Sequence, residues 1–142
     1  MMMWTAIAVW ALGATAVSIG SPATLEIRID GLRNERGLMQ ACLIREARAF
    51  PNCASDPGSI KLKSSAGGRL RFTGLQPGDY ALAVFHDGNA NGRLDTFLGI
   101  PREGFGFSRN PIVRFAAPKY DKVVIKIAPG LNRITVRLQY LL

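Results

Sequence analysis

Polar residues at a spacing that suggests a chemical role form one short stretch near the middle of the chain. Aspartate and asparagine occupy alternate positions there, a glycine follows directly, and a second aspartate comes three residues later. The stretch reads His86-Asp87-Gly88-Asn89-Ala90-Asn91-Gly92-Arg93-Leu94-Asp95. This spacing is typical of a calcium-binding loop, because a hard cation takes six to eight oxygen ligands and glycine permits the sharp turn. It predicts these ligands: Asp87, Asn89, Asn91, the backbone carbonyl of Arg93, Asp95 and Glu103.

The stretch differs from an EF-hand at the position that matters most. Leu98 stands where the EF-hand has its bidentate glutamate, and no helical pattern flanks the loop. The prediction is therefore a loop between strands, with Glu103 as a late ligand if the chain folds back. Only Asp87 and Asp95 supply carboxylates within the stretch, so we expect a weak Ca²⁺ site, with Kd on the order of 10⁻⁴ to 10⁻³ M. The alternative is a metal-free turn, since Asp, Asn and Gly also favour turns.

Alternating hydrophobic residues recur along most of the remaining chain. A period of two predicts strands. The apolar positions are Leu25, Ile27, Ile29; Ile60, Leu62; Leu70, Phe72; Val123, Ile125, Ile127; and Ile134, Val136, Leu138. Tyr80 to Phe85 is apolar at every position, which predicts a central strand covered on both faces, and Gly37 to Ile44 is an apolar run without a clear period. About seven short strands separated by Gly, Pro and Asp turns predict an all-β fold, an antiparallel β-sandwich with one core. Only Arg45 to Phe50 suits a single helical turn.

A longer segment, Thr96 to Lys119, lacks clean alternation. It contains several prolines and glycines, which favour a packed functional loop over a strand pair. Because it begins where the Asp87 to Asp95 stretch ends, we expect both at one end of the sandwich.

The first 23 residues carry no charged side chain, and Trp4 to Ile19 is an apolar run. A membrane span needs about 20 apolar residues, and Ser21-Pro22-Ala23 has the small residues that signal peptidase requires. We predict a signal peptide at 1–23, cleaved after Ala23, and a single mature domain at 24–142, secreted or periplasmic and without a membrane span. Cleavage after Ala14-Thr15-Ala16 and an uncleaved anchor are the alternatives.

Both cysteines, Cys42 and Cys53, follow the apolar leader. An even pair in an oxidising compartment predicts a disulfide bond. Closing so short a loop stabilises the fold by roughly 3 kcal/mol.

The net charge of +8 lies entirely after the leader. A basic exported domain is attracted to anionic surfaces, or its charge simply keeps it in solution. An anionic envelope component is a candidate partner if the basic residues of the loops cluster on one face, namely Arg93, Arg102, Arg109 and Arg114. Nucleic acid is not predicted, because Gly104-Phe105-Gly106-Phe107 is preceded by Glu103 where an RNA-binding strand has a basic residue.

Catalytic residues are not predicted. The chain has one histidine, and Ser108 lies outside a G-x-S-x-G elbow. Glu103 with Asp87 or Asp95 has the composition of a glycosidase carboxylate pair, but no spacing requires it. We therefore predict no enzyme. The main alternative is an envelope hydrolase that uses Glu103, His86 or Asp87 in a pocket beneath the long loop.

Two consecutive strings carry a family resemblance. They are F-H-D-x-N-x-N-G-x-L-D at 85–95 and L-G-I-P-x-E-G-F-G-F-S at 98–108. They resemble the family called domain of unknown function 2141, and the similarity extends over Leu25 to Leu138. Besides the predicted ligands, the matching motif positions are His86, Gly92, Pro101 and Ser108.

The segment Phe72 to Tyr80 is similar to the F-x-x-L-x-P-G-x-Y pattern of transthyretin-like and carboxypeptidase-regulatory-like sandwiches. The two resemblances together imply an exported Ig-like or transthyretin-like Greek-key sandwich with no catalytic residues. The function expected from the sequence is a binding or structural module of the cell envelope with a weak Ca²⁺ loop.

Overall fold

The computed structural model describes Gly13 and residues 21–142. The leader that we assign as a signal peptide lies outside the described residues, apart from Gly13 and residues 21–23. Ala23 is buried and pairs with Gly130 and Leu75, so cleavage after Ala23 would remove the first residue of a strand. The cleavage site stays a prediction.

Ten strands and one helical turn follow each other along the described residues. The elements are β1 (Ala23–Asp30), β2 (Leu38–Ile44), β3 (Ile60–Ser65), β4 (Arg69–Leu75), β5 (Gly78–Asp87), β6 (Thr96–Phe97), β7 (Ile100–Pro101), β8 (Phe105–Phe107), α1 (Tyr120–Val123), β9 (Ile125–Ile127) and β10 (Gly130–Arg137). A 3₁₀ turn at Cys53–Ser55 lies between β2 and β3. No helix in the part of the chain that the structure describes is long and apolar enough to cross a membrane.

The strands form two main sheets. One has the order β10-β1-β4, and the other has the order β3-β2-β5-β8, with β9 also pairing with β5. The alternate side chains of both sheets share one core, which includes Leu25, Leu43, Phe72, Leu82 and Val136. The prediction of an all-β sandwich is confirmed.

The sandwich differs from the prediction in one strand pair. We expected antiparallel neighbours throughout, but β1 and β10 run parallel from Ala23↔Gly130 to Asp30↔Arg137. These are the first and last strands, so no tight hairpin joins them and none sets their relative direction.

Two local predictions were also wrong. The segment Thr96 to Lys119 is not strand-free, since it contains the β6–β7 pair and β8, which pairs with β5. The predicted strand start at Val123 is part of α1. These strands and α1 span two to four residues, too few for a period to be visible in the sequence. Arg45 to Phe50 contains a hydrogen-bonded turn, in which Ala49 N donates to Glu46 O at 3.0 Å, and no regular helix.

The predicted disulfide bond between Cys42 and Cys53 is confirmed, with the Cα atoms 6.2 Å apart. It joins the end of β2 to the 3₁₀ turn and closes the loop that leads to β3. This loop lies at the opposite end of β2 from the Asp87 stretch, because Leu38 pairs with Asp87 and Ile44 with Ala81.

Candidate functional site

The candidate site begins where β5 ends, at Asp87, which lies beneath the following turn and holds it by hydrogen bonds. Asp87 is fully buried. Its Oδ1 accepts a hydrogen bond from the backbone N–H of Asn91 at 3.1 Å, and its Oδ2 accepts from Gly92 N at 2.8 Å and Gln40 Nε2 at 3.2 Å. Both carboxylate oxygens are therefore engaged in folding the turn.

The start of β2 packs tightly against this anchor. Gly37 has φ +72°, and a Cβ atom there would lie 2.1 Å from the backbone oxygen of Asp87. Only glycine fits such a close approach with a positive φ. The contact holds the beginning of β2 against the end of β5.

The two asparagines connect the turn to Asp95. Asn89 Oδ1 accepts from Asn91 N at 3.3 Å, and Asn91 Oδ1 accepts from Arg93 N at 2.9 Å. Their Nδ2 groups donate to the carboxylate of Asp95 at 2.6 Å and 2.8 Å. These are consecutive Asx turns, and they hold Asp95 over the loop.

A hairpin turn brings Glu103 back to Asp95. Between β6 and β7, Leu98 and Gly99 have φ values of +51° and +80°, and a two-residue hairpin turn of type I′ requires two positive φ values. Arg102 N then donates to Asp95 O at 2.8 Å, and Asp95 N donates to Glu103 Oε2 at 3.4 Å. The chain therefore folds back as the late-ligand hypothesis requires.

The pKa values of the Asp95 and Glu103 carboxyl groups are shifted in opposite directions. Hydrogen bonds from Asn91 and Asn89 lower the pKa of Asp95. Burial raises the pKa of Glu103 to about 7, and the nearby carboxylates of Asp95 and Asp87 contribute to the rise. The direct hydrogen bond between the two residues runs from the backbone N–H of Asp95 to Glu103 Oε2, and the raised pKa of Glu103 favours its protonated form near neutral pH.

An open cleft of about 530 Å³ lies above this pair. It is lined by Asn89, Asp95, Thr96, Arg102 and Glu103. The cleft combines two carboxyl groups, an amide, a hydroxyl and one guanidinium group. Oxygen atoms of this kind are what Ca²⁺ and Mg²⁺ prefer.

The six predicted ligands have three different positions. Asn89, Asp95 and Glu103 line the cleft, whereas Asp87 lies beneath the turn. The side-chain oxygen of Asn91 is bonded to the backbone N–H of Arg93. Among the residues that the structure describes, no three His, Cys, Asp or Glu side chains are arranged to hold a metal ion.

His86 is buried away from the cleft. Its Nε2 lies 2.6 Å from the carbonyl oxygen of Arg36, and its Nδ1 lies 3.2 Å from the hydroxyl of Tyr140. With both ring nitrogens bonded, His86 holds the segment before β2 and the end of the chain together.

The remaining motif residues stabilise the strands around the cleft. Ser108 is fully buried, and its hydroxyl accepts from Leu82 N and donates to the Val123 carbonyl. Leu82 is four residues from His86 along β5, about 13 Å at the usual rise, so Ser108 and His86 do not form a catalytic pair. Pro101 lies in β7, where it pairs with Thr96.

Several residues of the site had no signal in the sequence. Gln40 bonds Asp87 across 47 positions of the chain, and Tyr140 bonds His86 across 54. Thr96 lines the cleft through the β6–β7 turn. Their roles depend on strand register, which local patterns do not reveal.

Together, the fold and site define a β-sandwich domain with an acidic cleft formed by the loop after a central strand. A family model described as uncharacterized protein conserved in bacteria, domain of unknown function 2141 (DUF2141), matches residues 27–135. This is most of the chain, so the chain belongs to that family, and the resemblance inferred from its motifs is confirmed. No curated protein and no solved structure matches the chain.

Proposed function

We propose that this protein is an exported binding module of the cell envelope whose acidic cleft binds a divalent cation, Ca²⁺ by its ligand chemistry. The observation that carries the proposal is the return of the chain after β7, which places Glu103 within a hydrogen bond of Asp95 N and brings Asn89, Asp95 and Glu103 to one cleft; burial there raises the pKa of Glu103 to about 7. Two carboxyl groups this close need a shared positive charge, which a proton supplies at low pH and a divalent cation supplies once the proton leaves.

The proposed ligand set is narrower than the sequence pattern. Asp95, Glu103 and the amide oxygen of Asn89 hold the ion, and Thr96 and water complete the shell. Asn89 presents its oxygen after a half turn of its amide, which changes the shape of the side chain very little. Asp87 is a positioning residue, because its oxygens accept two backbone N–H bonds from the turn and one from the side chain of Gln40 on β2.

Binding in this cleft depends on pH. The cation replaces the proton that Glu103 holds, so affinity increases as the pH rises through about 7. The guanidinium group of Arg102 in the cleft wall and the small number of carboxylates keep the site weak, with Kd on the order of 10⁻⁴ to 10⁻³ M.

The test is a calcium titration by calorimetry at pH 6 and pH 8. We expect saturable binding at pH 8, weaker binding at pH 6, and loss of binding in Asp95→Asn. Asp121→Asn removes an exposed carboxylate from α1 and is the matched control, expected to bind as the unchanged protein does. Absence of saturable heat up to about 10 mM Ca²⁺, ten times the weakest expected Kd, would overturn the proposal.

Export is supported by the disulfide between Cys42 and Cys53, because such bonds persist in oxidising compartments. The uncharged apolar leader points the same way. Cell fractionation, followed by N-terminal sequencing of the mature chain, tests both the compartment and the cleavage site. Recovery of an uncleaved chain in the cytoplasm with free thiols would contradict export.

A second candidate function is a hydrolase that uses the same two carboxyl groups. It is favoured by their opposite pKa shifts, a pattern typical of a general acid beside a general base. Both carboxyl groups line the same cleft, so the candidate reaction is activation of a water by this pair. Hydrolysis of a panel of chromogenic substrates, abolished by Glu103→Gln, would support it.

A further inference from the structure

The outer face of the β10-β1-β4 sheet is rich in arginine. Inward residues such as Leu25, Leu70 and Phe72 are buried, so their neighbours along each strand point to solvent. The arginines on this outer face are Arg28 on β1, Arg69 and Arg71 on β4, and Arg133 and Arg137 on β10.

Strand register brings these arginines together from three distant parts of the chain. Glu26 pairs with Arg71 on one side and Arg133 on the other, and Arg28 pairs with Arg69. The carboxylate of Glu26 lies 3.3 Å from Arg71 Nη1 and 3.2 Å from Arg133 Nε. One carboxylate is therefore shared by two guanidinium groups, which leaves excess positive charge.

A groove of about 710 Å³ runs over this face. The lining residues are Glu26, Ile27, Arg28, Arg69, Arg71, Arg133, Ile134 and Thr135. The four arginines and Glu26 give the lining a net charge of +3, and Asp30, whose Oδ1 lies 3.0 Å from Arg28 Nε beside the groove, reduces this to +2. The side chains of Arg28, Arg71 and Arg133 are 71%, 61% and 74% exposed, so their guanidinium groups are accessible to a ligand.

We propose that this groove binds a linear acidic polysaccharide. A guanidinium group is a planar fork that matches a carboxylate in bidentate geometry, and several forks on one face match the repeated charges of a polymer. The polymer competes with Asp30 for Arg28 and with Glu26 for Arg71 and Arg133, in ion pairs that are exposed and therefore weak. Glu26 and Thr135 add acceptors for the hydroxyl groups that a sugar chain carries between its anions.

Other anionic partners fit the groove less well. No aromatic side chain lines it, although aromatic side chains are what stack nucleic acid bases. Its two apolar members, Ile27 and Ile134, are buried or half-buried, so nothing inserts into a bilayer as an interfacial protein does. The groove shares no residue with the acidic cleft.

The test measures binding of the purified protein to polygalacturonate, a linear polyuronate, in EDTA so that calcium cannot crosslink the polymer. The variant Arg69→Gln/Arg71→Gln removes two charges from the groove. Lys61→Gln/Lys63→Gln removes two charges from exposed positions of β3 and is the matched control. We expect the arginine pair to raise Kd on the order of tenfold, as for two exposed ion pairs, and the lysine pair to change it less than about twofold.

Two further measurements test whether binding depends on the guanidinium groups of the protein and on the carboxylates of the polymer. Arg69→Lys/Arg71→Lys keeps the charge but loses the bidentate fork, so we expect an intermediate loss of affinity. Fully methyl-esterified polygalacturonate, which has the same backbone without anions, is expected not to bind. Asp95→Asn should leave polyuronate affinity unchanged, so this proposal and the cation proposal can fail separately.

Three outcomes would overturn the proposal. Equal losses in the arginine and lysine pairs would show a response to net charge alone. Binding to phosphatidylglycerol vesicles in preference to polyuronate would assign the groove to a lipid surface. A failure of the unchanged protein to bind polyuronate would reject the ligand class.

Discussion

Two buried aspartates, Asp56 and Asp87, fold loops at opposite ends of β2 by the same means. Asp56 accepts backbone N–H bonds from Arg45, Glu46 and Gly58, and Asp87 accepts them from the turn after β5. A carboxylate can satisfy several N–H groups at once, which suits it to a tight turn. In both loops the buried aspartate stabilises the turn.

The two loops differ in what they do besides folding. The Asp56 loop is closed covalently by the Cys42–Cys53 bond. The Asp87 loop has no covalent closure, and it continues to Asp95 and Glu103, which face an open cleft. A buried aspartate in a turn therefore indicates structure, whereas carboxyl groups left at the surface of the same loop indicate a site.

The largest expected effect is the loss of the Asp87 anchor. Asp87→Ala leaves three N–H donors without an acceptor, and each costs about 1–1.5 kcal/mol, near the low end for an unsatisfied group because Asn91 and Gly92 are exposed to water. We therefore expect the free energy of unfolding to fall by about 3–5 kcal/mol. Urea denaturation measures this. Asp56→Ala is the matched variant, and its loss should be smaller because the disulfide still closes its loop. A larger loss in Asp56→Ala would contradict this comparison.

Removing the disulfide should destabilise the loop that contains Asp56 and leave the loop that contains Asp87 unchanged. Cys42→Ser/Cys53→Ser is expected to lower the free energy of unfolding by about 3 kcal/mol, the value for a short closed loop. Calcium affinity should stay unchanged, because the cleft is at the other end of β2. A change in calcium affinity would show that the two loops are coupled.

Glu103 in the cleft loop and Asp56 in the disulfide loop should contribute to stability with opposite dependence on pH. Glu103 has a pKa of about 7 in the folded protein against 4.5 normally, so its contribution is fully present below pH 4.5 and is lost as the pH rises through 7. Solvent screening of this half-buried group limits the effect to no more than about 1 kcal/mol. Backbone N–H bonds, that of Arg45 first, lower the pKa of Asp56, so its contribution is present above pH 3.8 and is lost as the pH falls further.

Urea denaturation of Glu103→Gln at pH 5 and pH 8, without calcium, measures the contribution of Glu103 to the pH dependence of stability. The variant should gain stability relative to the unchanged protein at pH 8 but not at pH 5. An equal difference at both pH values would show that the pKa of Glu103 is not raised in the folded state.

The smallest expected effect compares two exposed asparagines. Asn52 accepts from Ala54 N beside the disulfide, and Asn91 accepts from Arg93 N beside the cleft. Asn52→Ala and Asn91→Ala should each cost about 0.5 kcal/mol, the low end for one hydrogen bond. Only Asn91→Ala should raise the pKa of Asp95, because Asn91 also donates to that carboxylate. An NMR titration of Asp95 measures the difference.

Much of the fold could be predicted, because period-two alternation and turn residues are local features. The strands β1, β3, β4 and β10 follow the pattern, and the apolar run of β5 indicates a central strand. The candidate loop was also visible, since Asx turns need only their own residues. The roles within it were not: Asp87 and Asp95 are the same residue type, yet one is buried beneath the turn and the other faces the cleft.

The sequence by itself determined an all-β sandwich, a cysteine pair suited to a bridge, an Asx-rich loop and membership of a family. Each depends on residue type and short spacing. The tertiary structure alone decided the parallel pairing of β1 with β10, the raised pKa of Glu103 and the arginine face formed by β1, β4 and β10. These features depend on register and desolvation between segments far apart in the chain, which emerge only when the sheets pack.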